Sequence, residues 1–339
     1  MNNQVSLLFA GDIMLGENLY HIGRGIRTKY QHSYDSFIPS CIKKTLFTDI
    51  DAFIYNFEYS LVSNDYPFTD FEGSIYASTV DSLKALPKDL TKVVNIANNH
   101  FWQHEIERTQ FSIDMLKKHG YYVAGESNKP TIVKIKSKTL HVWGVSLVDD
   151  HVPVFTSTYE QLLADLTLPE HKGENDIWVI SIHWGTEFIS YPNKSQVDLA
   201  HKLVAAGFDI VHGHHPHVCQ PIEFVGNSII MYSLGNCIFD ENFAKKTQLA
   251  YMPKLIIGDK IVTKMYLMHN KNYVPYKVET VDYKSIEFIP NKYWSERKKR
   301  LVFKKYNVLR KLEFLPHIAE NGFYIYKNLK IRRKAKNNK

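Results

Sequence analysis

Short apolar runs, each ending abruptly on a polar residue, recur along most of the chain. Val5-Ser6-Leu7-Leu8-Phe9-Ala10 runs into Gly11-Asp12, and Ala52-Phe53-Ile54-Tyr55-Asn56-Phe57 into Glu58. Val93 to Ala97 leads to Asn98-Asn99-His100, Asp176 to Ile182 to His183, and Phe208 to Val211 to Gly213-His214-His215-Pro216-His217. Runs of this length that lack polar alternation predict strands buried on both faces. Two helices are legible between them. One is capped by Asn193, runs through Val197, Leu199, Leu203 and Val204, and stops at Gly207. The other covers Glu105 to His119, with Phe111, Met115 and Leu116 inward and Gly120 as its stop. Strands alternating with helices predict partly parallel pairing. Hairpins are expected at 131–135 with 139–145 and around Gly226-Asn227. Beyond Leu249 the pattern is mostly β, with Gly258-Asp259 as a turn.

The chemistry lies where the runs stop. In α/β sheets the crevice beyond the carboxyl ends of the strands is the usual ligand site. Each residue alone is weak evidence, since an Asp after a strand is usually a turn or cap residue. Five strand ends that deliver carboxylates, carboxamides and imidazoles look together like a polynuclear metal site. Mixed O and N donors suit Mn, Fe or Zn, as one or two divalent ions, better than calcium, which favours oxygen throughout. Pro216 stiffens the histidine loop. No phosphate-binding glycine loop competes, because Gly23-Arg24-Gly25 lacks the Lys-Ser/Thr ending. Ser233 lacks the preceding glycine of a nucleophile elbow.

In order and spacing, Gly11-Asp12-Ile13-Met14-Leu15-Gly16, Asn56-Phe57-Glu58, Ala97-Asn98-Asn99-His100, His183-Trp184-Gly185-Thr186-Glu187, Gly213-His214-His215-Pro216-His217 and Tyr232-Ser233-Leu234-Gly235-Asn236 resemble the capsule-synthesis CapA family. The resemblance covers about residues 5–240. It implies poly-γ-glutamate or surface-polymer biosynthesis and a fold of the calcineurin-like metallophosphatase kind. That fold is an α/β, four-layer α/β/β/α sandwich of two mixed sheets flanked by helices. It also implies roles. Asp12 matches the first metal-binding carboxylate, Glu58 a bridging one, and Asn98 or Asn99 the carboxamide ligand. His183, His215 and His217 supply imidazoles, and His100 protonates a leaving group or steadies a phosphoryl oxygen. Glu187, His214 and Asn236 stand behind the ligands or face substrate. Two departures matter. Met14 replaces a histidine of ordinary metallophosphatases, and a thioether is a poor ligand for a hard, phosphate-processing metal. Phe101-Trp102-Gln103-His104-Glu105 replaces the usual Asp and Gly after His100; His104 and Glu105 either substitute for them or merely start a helix.

A chain of 339 residues with 44% hydrophobic content supports one core of about 250 residues plus an extension. The division expected is 1–250, a β-rich completion at 251–290, and a basic amphipathic extension at 291–339. The extension holds 16 Lys/Arg and 3 Glu, a net +13; the overall +7 leaves −6 for residues 1–290. Trp294, Leu301, Val302, Leu309 and Leu312 fall near helical spacing among its cations, so it either packs on the core, lies on an anionic membrane surface, or holds an anionic polymer. No motif for specific nucleic acid accompanies it. Three cysteines that cannot all pair and an apolar N-terminal run too short for a leader imply a reduced, cytoplasmic setting, with peripheral membrane contact as an option. Two functions follow: a metal-dependent hydrolase of phosphoester or amide bonds on an anionic polymer or phosphorylated substrate, or a non-catalytic scaffold of a polymer synthesis or export complex.

Overall fold

The computed structural model describes residues 4–148, 152, 158, 161–258, 260–289 and 294–314. Asp259 and, within the basic tail, residues 291–293 and 315–339 lie outside them. The first strands are β1 (Val5–Ile13), β2 (Ala52–Phe57), β3 (Ser60–Val62), β4 (Ala77–Thr79), β5 (Thr91–Asn95) and β6 (Tyr121–Ala124). Next come β7 (Thr131–Ile135), β8 (Lys138–Ser146), β9 (Asp176–His183), β10 (Ile210–His214), β11 (Ile222–Val225) and β12 (Ser228–Met231). Last are β13 (Asn236–Ile238), β14 (Leu249–Ile257), β15 (Ile261–Lys271) and β16 (Val274–Thr280).

Two mixed sheets stack. One runs β16-β15-β14-β1-β2-β5-β6, with β13 also paired to β1; the other runs β11-β12-β10-β9-β8-β7. Within the first, β1, β2, β5 and β6 are parallel, and so are β8, β9, β10 and β12 in the second. Alternation along β1 explains the layering, because successive side chains point to opposite faces. Leu7 and Phe9 pack between the sheets with Ile54, Val93, Val142, Val179 and Ile210. Leu8 and Ala10 face outward, into a layer with Ile42 and Leu46 of helix Ser40–Phe47 and Ile113 and Leu116 of helix Ile106–Lys118. On the far side of the second sheet, Val197, Leu199, Ala200 and Leu203 of helix Lys194–Ala205 cover Ile180, Ile182 and Val211. The order is therefore α/β/β/α, as expected.

Local signals decide the element ends. Asn193 accepts from Gln196 N at 2.8 Å while Gln196 reaches back, a full capping box, and Gly207 follows the helix at φ +103°. Both expected hairpins form. Helix Ile106–Lys118 buries Thr109, Ser112, Ile113 and Leu116; Phe111 and Met115 are only partly covered, because the contact stripe lies a third of a turn away from the most apolar one. Strands β14 to β16 extend the first sheet through β14 on β1, so they belong to the same sheet as the first strand of the chain.

The basic segment forms helix Glu296–Phe314. It docks through Tyr306 and Arg310, while Leu301 and Leu312 stay exposed. No described helix is long and apolar enough to cross a membrane.

Candidate metal centre

The strands that end in polar residues bring those ends together. Asp12 lies beside Asn56 in the β1–β2 register and beside Asn236 in the β1–β13 register, and His183 lies beside His214 in β9–β10. Gly11 permits this packing: a Cβ there would sit 2.0 Å from the Gly235 carbonyl, to which Asp12 N donates. His215 and His217 hold positive φ angles of 96° and 55°, unusual for residues with a side chain, and their loop turns both rings inward to near-complete burial.

Asp12, Glu58, His183, His214, His215 and His217 are all buried. Two triads have candidate ligand atoms within 4.8 Å of one another: Asp12, His183 and His214, and Asp12, Glu58 and His217. Asp12 is common to both. Around Glu58 Oε1 stand three imidazole nitrogens: His217 Nε2 at 3.7 Å, His183 Nε2 at 3.8 Å and His100 Nε2 at 3.9 Å. These are too long for hydrogen bonds. They are near the spacing of ligands around a cation with bonds of about 2.1 Å, roughly 3–3.5 Å apart. Glu58 Oε1 and His215 Nδ1 are fully shielded and have no hydrogen-bond partner. Buried acceptors left unmatched are costly, and a divalent cation would satisfy them, so the donor set fits the metal chemistry that the residue types imply.

Amides brace the ligands. Asn56 Nδ2 donates to Asp12 at 2.8 Å and to Glu58 at 3.0 Å. Asn236 Oδ1 is 2.9 Å from His217 Nδ1, and Asn99 Oδ1 is 2.8 Å from His183 Nε2. Asn98 is differently engaged. Its Oδ1 accepts from the backbone of His100 and Phe101, and its Nδ2 donates to Asn56 and to the Phe57 carbonyl. Of the two candidate carboxamides, Asn99 is thus the one that faces the imidazoles. His100, more exposed than the rest, stacks on Tyr76 with ring centroids 3.5 Å apart. Glu187 stands at the rim with Glu241, which accepts from Asn236 Nδ2 at 3.3 Å.

Burial opposes charge throughout, and neighbours decide the outcome. It would raise the Asp12 carboxyl, but bonding to and the charge of His217 hold it below the ordinary value. Burial and then the Asp12 charge push Glu58 well upward. His183 and His214 are lowered by burial, and His215 is lowered to about 4. His217 is raised in spite of burial because Glu58, Glu241 and Asp12 surround it. Glu241 is raised by burial to about 7.

Both departures from the family pattern are structural. Met14 is turned into the outer core, and its sulfur accepts from Gly16 N at 3.1 Å. His104 lies 2.8 Å from the Ile75 carbonyl and Glu105 occupies the helix start, so neither joins the metal cluster. Sequence reasoning missed Asn95 and Ser181, which lie 3.0 and 3.1 Å from His214 Nε2, His212, 3.0 Å from Ser181, and the neighbours Glu241, Tyr76 and Arg310. Only Glu241, five residues beyond Asn236, carried a usable signal.

The family model described as "Bacterial capsule synthesis protein PGA_cap" matches residues 6–241. The Bacillus anthracis capsule biosynthesis protein CapA is 29% identical over 72% of this chain and 62% of its own length. The chain thus spans less than two thirds of that relative. The Bacillus subtilis PGA biosynthesis protein CapA is 28% identical over 83% of this chain and 76% of its own. A solved Staphylococcus aureus structure whose description names a 5′-nucleotidase in complex with alpha-ketoglutarate is 14% identical over 90% of this chain and 58% of that one, with a TM-score of 0.46.

Proposed function

The chain belongs to the PGA_cap family of bacterial capsule synthesis proteins, and from that premise we propose that it is a metal-dependent hydrolase of phosphoester or amide bonds in the biosynthesis of a poly-γ-glutamate or related anionic surface polymer. The observation that carries this reading is the fully buried Glu58 Oε1, unpartnered and ringed by three imidazole nitrogens at 3.7–3.9 Å. A scaffold has no use for such an arrangement, which is costly to bury unless a ligand completes it.

Asp12 is the shared carboxylate, with Glu58 and His217 on one side and His183 and His214 on the other; Asn99 and His215 complete the set. A divalent cation held there would supply Lewis acidity to water and to the oxygens of the scissile group. The chain's own residues do the rest. Asn56 fixes both carboxylates, Asn236 orients His217, and Asn99 orients His183. His100, at the mouth and held flat against Tyr76, is the residue placed to deliver a proton to a leaving group.

The test is elemental analysis of protein purified without chelators, paired with hydrolysis of bis(p-nitrophenyl) phosphate and of γ-glutamyl p-nitroanilide. Near-stoichiometric Mn, Fe or Zn and turnover in the wild type, both absent in Asp12→Ala/His217→Ala, is the expected result. A folded protein that takes up no metal would sink the reading. Bound metal with no turnover on either substrate class would favour the scaffold.

The outward face of helix Glu296–Phe314 supports a peripheral contact with an anionic surface. Leu301, Val308 and Leu312 are 51–59% exposed and are flanked by Lys304, Lys305 and Lys311.

A further inference from the structure

Helix Glu296–Phe314 lies outside residues 6–241, yet it packs on residues that adjoin the metal centre. Its inner face settles on Phe188, which follows Glu187 in the loop after His183. Tyr306 stacks on Phe188 at 5.3 Å and 10°, Phe303 approaches it at 6.4 Å, and the Arg310 guanidinium lies 5.5 Å above it. The same Phe188 is 6.4 Å from the ring of His217. The helix therefore brings a cation to the mouth of the site.

Arg310 is held there without being used up. Nη2 donates to Asn307 on its own helix at 2.8 Å. Nη1 lies 3.7 Å from Glu187 and 3.8 Å from Glu241, close enough for attraction but beyond hydrogen-bond length. Nε is shielded from solvent and has no partner. A structural Arg–carboxylate pair closes as a fork at about 2.7–2.9 Å. Here neither carboxylate closes on the guanidinium, and the Tyr20 ring lies 5.4 Å from it. The charge of Arg310 is felt at the hydroxyl of Tyr76, the residue stacked on His100.

We propose that Arg310 recognises an anionic oxygen group of the substrate, a carboxylate or phosphoryl adjoining the scissile bond, so that the C-terminal helix is part of the substrate site. A planar guanidinium suits either group, and a lysine would not reproduce its two-point contact. This inference rests on the hydrolase reading, and its test separates the two. Manganese is titrated first into wild-type, Arg310→Gln and Arg310→Lys protein by calorimetry; inorganic phosphate and glutarate are then titrated into each loaded protein. The expected result is equal manganese affinity in all three, at least tenfold weaker binding of one anion by Arg310→Gln, and an intermediate value for Arg310→Lys. Which anion responds distinguishes a phosphoryl from a carboxylate substrate. Loaded wild type that binds neither anion, or anion affinity equal in wild type and Arg310→Gln, overturns the role of Arg310 and leaves the metal centre standing. Failure of wild type to take up manganese removes both.

Discussion

The Nδ1 atoms of His183 and His214 face each other at 2.8 Å, so a single proton lies between two neutral rings. Its owner can be deduced. Asn95 Oδ1 accepts from Ala97 N, which turns Asn95 Nδ2 toward His214 Nε2 at 3.0 Å. His214 accepts there and carries its proton on Nδ1, leaving His183 protonated on Nε2 toward Asn99. Ligation through His183 Nε2, the atom that faces Glu58, would require this arrangement to reverse, because His183 carries its proton there.

Metal uptake should therefore release protons. The larger share comes from His217 and Glu58, both raised well above their ordinary values and both needed in deprotonated form as ligands. Affinity for Mn or Zn should rise with pH across the neutral range, with roughly one to two protons released per site. Calorimetry in buffers of different ionisation enthalpy reads this directly, and a proton count of zero would contradict it.

Asn98 and Asn99 should separate cleanly. Asn98→Ala removes four hydrogen bonds, two that tie the loop after β5 to β2 and two that brace the loop itself, and is expected to cost about 2–4 kcal/mol of stability. Asn99→Ala should leave the urea midpoint nearly unchanged while weakening metal binding about tenfold or more. If the two variants behave alike in both measurements, this division of roles is wrong.

Acid should destabilise the metal-free protein. Burial lowers His212 and His104 to about 4, against 6.5 in the unfolded chain. Between those values the unfolded state binds more protons, so stability is complete above pH 6.5 and is lost as pH falls toward 4. For a fully buried group such as His212 the loss is on the order of 3 kcal/mol. Glu241, raised to about 7, acts in the opposite sense between pH 4.5 and 7, as do the raised Glu58 and His217, whereas the lowered His183, His214 and His215 add to the loss. Urea midpoints at pH 7.5, 6 and 5 should decline, and less steeply in His212→Asn. A midpoint that does not move would refute the assignment.

For the outer face of the C-terminal helix, sedimentation with phosphatidylglycerol vesicles should exceed that with phosphatidylcholine vesicles and weaken with salt. Leu301→Ser/Val308→Ser/Leu312→Ser should reduce it several-fold, and Lys304→Gln/Lys305→Gln by about 1 kcal/mol per lysine. Equal sedimentation of all variants would remove membrane contact through this face.

Much was readable in one dimension because it rests on local physics. Apolar runs with no polar alternation mark strands covered on both sides, and Asn193 with Gln196 announces a helix start whatever surrounds it. The positions of Asp12, Glu58, His183 and His214–His217 at strand ends follow from the same pattern, since chain polarity alone sets which end of a strand they occupy.

What no run of residues encodes is which strand ends converge. That β1, β2 and β5 lie in one sheet and β9 and β10 in the other, so that Asp12 meets His217, is settled by pairing and packing between segments up to about two hundred residues apart. Choices between like neighbours are equally tertiary: Asn98 turns to the backbone and Asn99 to His183 because of what each meets. The basic segment shows the division most plainly. Its composition by itself determined a cationic amphipathic helix, but the Phe188 surface it docks on decided that Tyr306 and Arg310, not the leucines, face the protein. Periodicity reports how apolar a stripe is, whereas burial depends on the shape and charge of a partner surface that folds from distant chain.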